Sequence, residues 1–153
     1  MMMKNYLSRV DKRVFKVIRD IGRAADRQGL RAYIVGGIVR DIILGRKSFD
    51  IDIVLEGHAI AFAQSVAKAT GAKITVYPRF GTATLHWPFG LRIDFVAARQ
   101  EHYPHPGALP KVRPGTLKDD LFRRDFTINA MAMCLNQNRW GQLVDEFGGL
   151  SDL

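Results

Sequence analysis

Residues 36–57 read GGIVRDIILGRKSFDIDIVLEG. A β-strand sends successive side chains to opposite faces. On a strand over Asp50–Leu55, the carboxylates of Asp50 and Asp52 therefore share one face, while Ile51 and Ile53 take the other. Aspartate is disfavoured in strands, and two carboxylates side by side away from water repel each other. A cation between them relieves the repulsion, and hard oxygen ligands suit Mg²⁺. The alternative is a solvent-facing edge strand with polar side chains. Departures from local preference tend to mark functional sites, which favours the metal. Upstream, Gly36-Gly37 interrupts a short strand over Arg31–Val35 and precedes a helix over Ile38–Leu44 that Gly45 stops. Such a turn can aim backbone N–H groups at an anion. Arg40 lies about one helical turn past Gly37 and can face the same place, with a guanidinium suited to phosphate. Asp41 can orient Arg40 or cap backbone groups. Alone, the glycines would be a plain turn and Arg40-Asp41 a solvated ion pair. Beside the two aspartates, the segment reads as a site for metal and nucleoside triphosphate.

Two further clusters carry chemistry. A strand over Leu91–Val96 places Asp94 among Ile93, Phe95 and Val96. Asp94 is either a third carboxylate for the same cation, in a two-metal phosphoryl-transfer site, or an ion-pair partner of Arg92 or Arg99. Residues 123–132 read RRDFTINAMA. Arg123 and Arg124 offer guanidiniums to phosphates or a base edge. Asp125 and Asn129, four apart, are expected on one helix face, where they could clasp a ribose hydroxyl. The plainer alternative is a helix N-terminus with Asp125 near the cap. His58, His86, His102 and His105 lack metal-ligand spacing and are expected at the surface. Trp87, Phe89, Phe95 and Phe122 are expected in the core or as a platform.

Outward from these motifs the chain alternates helices and strands. Val10, Val14, Val17, Ile18 and Ile21 recur at helical spacing, with Ser8 and Asp11 as a capping start and Gly29 as the stop. A helix over Ala59–Ala69 ends at Gly71, and strands are expected over Lys73–Tyr77 and Thr82–Trp87. Residues 103–115, YPHPGALPKVRPG, carry prolines and glycines that argue against regular structure. Loops of this length inside a compact domain are often functional. A helix over Leu117–Arg124, a strand entered from Thr127–Leu135 and one over Gln142–Asp145 follow. The expected class is α/β, a mixed sheet flanked by helices.

The 153 residues suffice for one modest domain with a real core. The formal charge of +8 points to a polyanionic partner, with nucleic acid first. Cys134, the single cysteine, sits in an apolar run and excludes an internal disulfide. No apolar stretch is long enough to span a membrane, and MMMKNYLSRVDKR contains no signal-peptide apolar region. A reducing cytoplasm is the simplest setting.

The motifs GGIVRD, DID and RRDFTINAMA, in this order, resemble the class II tRNA nucleotidyltransferase and bacterial poly(A) polymerase family, with CCA-adding, CC-adding and A-adding members. The likeness runs from about Leu30 to the last residue. It implies a nucleotidyltransferase palm-like head domain over residues 30–153, preceded by an N-terminal helix within 1–29, with the family's neck, body and tail domains absent. It further implies that Asp50, Asp52 and Asp94 are catalytic Mg²⁺-binding carboxylates. Gly37 and Arg40 would meet the triphosphate, with Gly36 shaping the turn of the nucleotide site. Arg123, Arg124, Asp125 and Asn129 would form the nucleotide pocket, with Asp125 and Asn129 selecting ribose. The segment from Glu101 to Thr116 resembles a mobile loop near the site. The implied reaction adds CMP or AMP from CTP or ATP to the 3′ end of tRNA and releases pyrophosphate. Lys111, Arg113 and Lys118 could meet the RNA backbone. The other expectations are a poly(A) polymerase head, or a module that binds Mg-nucleotide and RNA but is inactive without its neck.

Overall fold

A computed structural model describes residues 5–153. The first four residues of the expected N-terminal unit lie outside the described residues. A 3₁₀ turn at Tyr6–Arg9 leads into α1 (Lys12–Arg27). Asp11 caps this helix by accepting from the Arg13 backbone N–H at 2.8 Å. Ser8 is not part of that cap. It lies in the 3₁₀ turn, where its hydroxyl donates to the Asn5 carbonyl. Gly29, at φ +68°, takes the chain out of the helix.

The remaining elements are β1 (Arg31–Val35), α2 (Gly37–Ile43), β2 (Asp50–Glu56), α3 (Ala59–Thr70), β3 (Lys73–Tyr77), β4 (Thr82–His86), β5 (Arg92–Ala97), β6 (Arg99–His102), β7 (Lys111–Pro114), α4 (Leu117–Phe122), β8 (Ala132–Cys134), β9 (Leu143–Val144) and α5 (Gly149–Asp152). Seven strands form one mixed sheet in the order β3-β4-β5-β2-β1-β8-β9. The β2–β5 pair is parallel and the other pairs are antiparallel.

The two faces of the sheet have different fates. Ile51, Ile53 and Leu55 of β2, Ala32 and Ile34 of β1, and Ile93 and Phe95 of β5 join α1 and α3 in the main core. Phe62 of α3 meets Phe95 with ring centroids 5.9 Å apart. Each of the isoleucine, leucine and phenylalanine side chains contributes roughly 1.5–3 kcal/mol of burial. A slip of β2 by one residue would trade these for its aspartates, so the register is strongly specified. The opposite face carries Val35, Val54 and Tyr33 in a smaller cluster under Leu117 and Leu121 of α4. Asp50 and Asp52 lie on this more sparsely covered face.

Gly22 lets α1 seat on the sheet. A Cβ there would stand 2.1 Å from the Leu135 carbonyl oxygen. Gly22→Ala is therefore expected to push the helix outward and cost about 1–3 kcal/mol, read as a lower urea midpoint with an unchanged slope.

The proline-rich stretch differs from its sequence reading. Residues 99–102 and 111–114 form an antiparallel hairpin, β6 with β7, pairing Arg99 with Pro114 and His102 with Lys111. Pro104, Pro106 and Pro110 all fall in its connecting loop. Pro114 ends a strand, where a missing N–H is tolerated. The helix expected to reach Arg124 stops at Phe122. Phe122 is 75% exposed, outside the core, with its ring against Phe147. The four histidines are exposed, and Cys134 is buried.

Candidate active site

The parallel register brings the acids together. Asp52 of β2 lies opposite Asp94 of β5, and Asp50 lies opposite Arg92. With the strand period of two, all three carboxylates share the open face. Asp94 is the ion-pair partner of Arg92, one of the two roles considered for it, and it also stands beside Asp52. Its Oδ1 accepts from the Thr84 hydroxyl and from Arg92 Nη2 at 3.4 Å, while its backbone neighbour is Asp52.

Asp52 is accessible from the cleft, yet protein surrounds enough of its carboxyl to strip hydration. That desolvation, then the charges of Asp94 and Asp50, raise its pKa above the ordinary 3.8, against a smaller lowering by Arg124 and Arg92. A raised carboxyl pKa means that the folded state holds a proton more tightly than the unfolded one. The resulting penalty is absent below the ordinary carboxylate range and grows as pH rises through the raised value. Asp52→Asn is therefore expected to melt at a higher temperature than the unaltered chain at neutral pH without metal. The difference should shrink on acidification to about pH 3. Thermal melts across pH check it.

The donor set is all hard oxygen and carries surplus negative charge, a chemistry that fits a divalent cation. Among the described residues, no three acidic, histidine or cysteine groups stand together tightly enough to hold an ion as arranged. The fit therefore rests on charge and donor type.

A cleft of about 610 Å³ opens over Asp52, with Asp120, Arg123, Arg124, Asp125 and Asn129 along its wall. Arg40 donates from Nη1 to Asn129 Oδ1 at 3.0 Å and pairs through Nε with Asp41 at 3.1 Å. Asp125 and Asn129 do not share a helix face. The chain leaves α4 at Phe122 and forms only a 3₁₀ turn at Thr127–Asn129, yet both residues reach the same cleft.

The glycines also have an unforeseen use. Gly36 has φ +82° and ψ −143°, a region essentially closed to other residues. A Cβ on it would meet Arg124 Nη1 at 3.1 Å, and one on Gly37 would meet Arg40 Nη2 at 3.3 Å. The pair makes room for two guanidiniums. Because α2 is only seven residues long, positive charge at this spot comes chiefly from arginine.

Sequence reading missed Asp120. It is 0% exposed, and its two oxygens accept from Arg123 Nη2 at 3.0 Å and Arg124 Nη2 at 3.2 Å. The signal was an acid three and four residues ahead of two arginines, the spacing of helical ion pairs. A second cavity of about 590 Å³, largely apolar, lies between the start of α3 and the β6–β7 hairpin, and Val96 lines both it and the cleft.

The mixed sheet, its paired aspartates and the facing arginines define a nucleotidyltransferase head. Residues 32–153 match the family described as the poly A polymerase head domain, and the chain belongs to this family, which the class II tRNA nucleotidyltransferases share. It is 55% identical over 125 residues to the A-adding tRNA nucleotidyltransferase of Aquifex aeolicus, covering 81% of this chain and 15% of that protein. It is 47% identical over 120 residues to the CC-adding tRNA nucleotidyltransferase of Deinococcus radiodurans, covering 78% of this chain and 32% of that protein. A solved Thermotoga maritima CCA-adding enzyme complexed with tRNA superposes with a TM-score of 0.82 at 41% identity, over 96% of this chain and 32% of that one. The chain thus spans less than a third of the length of each of these relatives. Nucleotidyltransferases of this family generally use divalent metal ions. No helix among the described residues is long and apolar enough to cross a membrane.

Proposed function

We propose that this chain is the catalytic head of an RNA nucleotidyltransferase that adds CMP, AMP or both from CTP and ATP to the 3′ end of tRNA, releasing pyrophosphate. The observation that carries the reading is the register pairing of Asp52 with Asp94 on the open face, across the cleft from Arg123 and Arg124. The names of the relatives, A-adding, CC-adding and CCA-adding, support the choice of reaction and substrates. The 3′ oxygen of the acceptor forms a bond to the α-phosphorus, the bond from that phosphorus to the β-phosphate oxygen breaks, and the hydroxyl proton is lost to solvent.

Bound at Asp50, Asp52 and Asp94, Mg²⁺ would supply Lewis-acid neutralisation of the reacting phosphate. Arg40, Arg123 and Arg124 would hold triphosphate oxygens beside Gly36 and Gly37, and Asp41 would steady Arg40. Asp125 and Asn129 would meet the ribose. The protein's part is positioning and charge. Affinity for tRNA should fall steeply with salt. One buried cysteine suits a reducing cytoplasm.

The length of the relatives favours a second reading, in which this unit holds Mg-nucleotide and RNA but turns over only when joined to further chain. Labelled CTP and ATP offered with Mg²⁺ to tRNAs lacking CCA, CA or A separate the two. Transfer by the chain alone supports the first reading, and the tRNA extended names the subtype. Binding without transfer supports the second. A folded chain that binds neither nucleotide nor tRNA at low salt overturns both.

A further inference from the structure

Among the described residues, Asp120 is the only charged side chain that is fully buried. Taking a carboxylate out of water costs several kcal/mol unless partners compensate. Here each oxygen is assigned to a different guanidinium, Oδ1 to Arg123 and Oδ2 to Arg124. Those arginines are 30% and 24% exposed at the side chain and line the cleft. One edge of each is therefore held inside while the side chain still reaches the space over Asp52.

Arg124 is fixed from a second side as well. Its Nη1 lies against Gly36, and its Nε is buried without a partner. The helix that carries Asp120 is itself tied to the metal-facing strand. The Leu117 N–H at the start of α4 donates to Glu56 Oε1 at the end of β2, at 2.9 Å. Thr116 and Asp119 close a capping box around that start. A chain of contacts thus runs from β2 through Glu56 and α4 to Asp120, and from there through Arg124 to the Gly36 turn.

We propose that Asp120 is a positioning residue for nucleotide binding, whose carboxylate presets the Arg123 and Arg124 guanidiniums as a rigid fork for the phosphates of the incoming nucleotide. The proposal rests on the functional reading above. Arginine loses rotamer freedom when it grips an anion. A guanidinium already pinned on one edge gives up less on binding, so the effect appears in nucleotide affinity. A carboxylate that merely satisfied a buried charge would affect stability alone.

A double-mutant cycle on the dissociation constants of Mg-CTP and Mg-ATP tests this. Asp120→Asn keeps the size of the side chain and is expected to weaken binding about tenfold in the unaltered background. In the Arg124→Ala background the same change should cost much less. Equal losses in both backgrounds, or no loss in either, overturn the proposal. Nitrogen-15 NMR of the arginine side chains in the nucleotide-free chain needs no variant. Hindered rotation at Arg123 and Arg124 is expected, and rotation as free as at the exposed Arg23 overturns the proposal. If the unaltered chain binds neither nucleotide, the functional reading itself fails, a different outcome from additivity in a chain that binds.

Discussion

Replacing Asp52 by alanine is expected to reduce Mg²⁺-dependent nucleotide transfer by about a thousandfold or more while leaving the chain folded. The size follows from the proposed role. A metal that neutralises a reacting phosphate supplies several kcal/mol of transition-state stabilisation, and each 1.4 kcal/mol or so is tenfold in rate. Retained folding follows from position. Asp52 faces the cleft, whereas the hydrophobic contribution of β2 comes from Ile51, Ile53 and Leu55 on the other face. Its carboxylate is also strained by desolvation and by its acidic neighbours, so removing it relieves a cost. Labelled-nucleotide transfer to tRNA lacking its terminal residues, alongside a thermal melt, checks both halves. A folded variant with full activity would end the metal assignment. If the chain transfers only when joined to further sequence, the same comparison is made in that longer protein.

Gly36→Ala should strike stability and binding together. Forcing a Cβ onto the observed backbone conformation costs on the order of 1–3 kcal/mol. The new methyl would also stand 3.1 Å from Arg124 Nη1, so Arg124 must yield its place beside the cleft. A lower urea midpoint and an approximately tenfold weaker affinity for Mg-nucleotide are expected. Gly37→Ala is the control. Gly37 has no positive φ and begins a helix, and its contact is the far end of the Arg40 side chain at 3.3 Å. A milder loss is expected there. Equal effects from the two substitutions would show that backbone conformation at Gly36 is not what matters.

The strands around the site were legible because period two is a strong signal. Period two set Asp50 and Asp52 against Ile51 and Ile53, and the structure divides these four that way, while Val54 on the aspartate face is buried under α4. The partner of β2 was not legible, since pairing between segments forty residues apart leaves no local mark. Asp94 could be named as a candidate but not placed opposite Asp52. The β6–β7 hairpin was hidden because proline content was read over the whole segment, while the ladder needed only residues 99–102 and 111–114. Asp125 and Asn129 were joined to the cleft by a mistaken route, a continuous helix, when a break after Phe122 does the work. Asp120 escaped because DDLF reads as an ordinary helical turn with solvated acids. Asp119 turns back to cap Thr116, whereas Asp120 is buried against Arg123 and Arg124, and that burial depends on what α4 packs against.

The lone parallel pair in the sheet has a consequence for assembly of the molecule. A parallel neighbour cannot be reached by a tight turn, so β2 and β5 meet only after α3, β3 and β4 have been laid down between them. Half of the acidic pair therefore waits on a long-range closure that is slow relative to local hairpins. A chain with β3–β4 formed but β5 undocked would lack the pair altogether. Under the proposed metal assignment, a divalent ion at that pair would reward only the completed sheet, and ion concentration would act directly on the folding equilibrium.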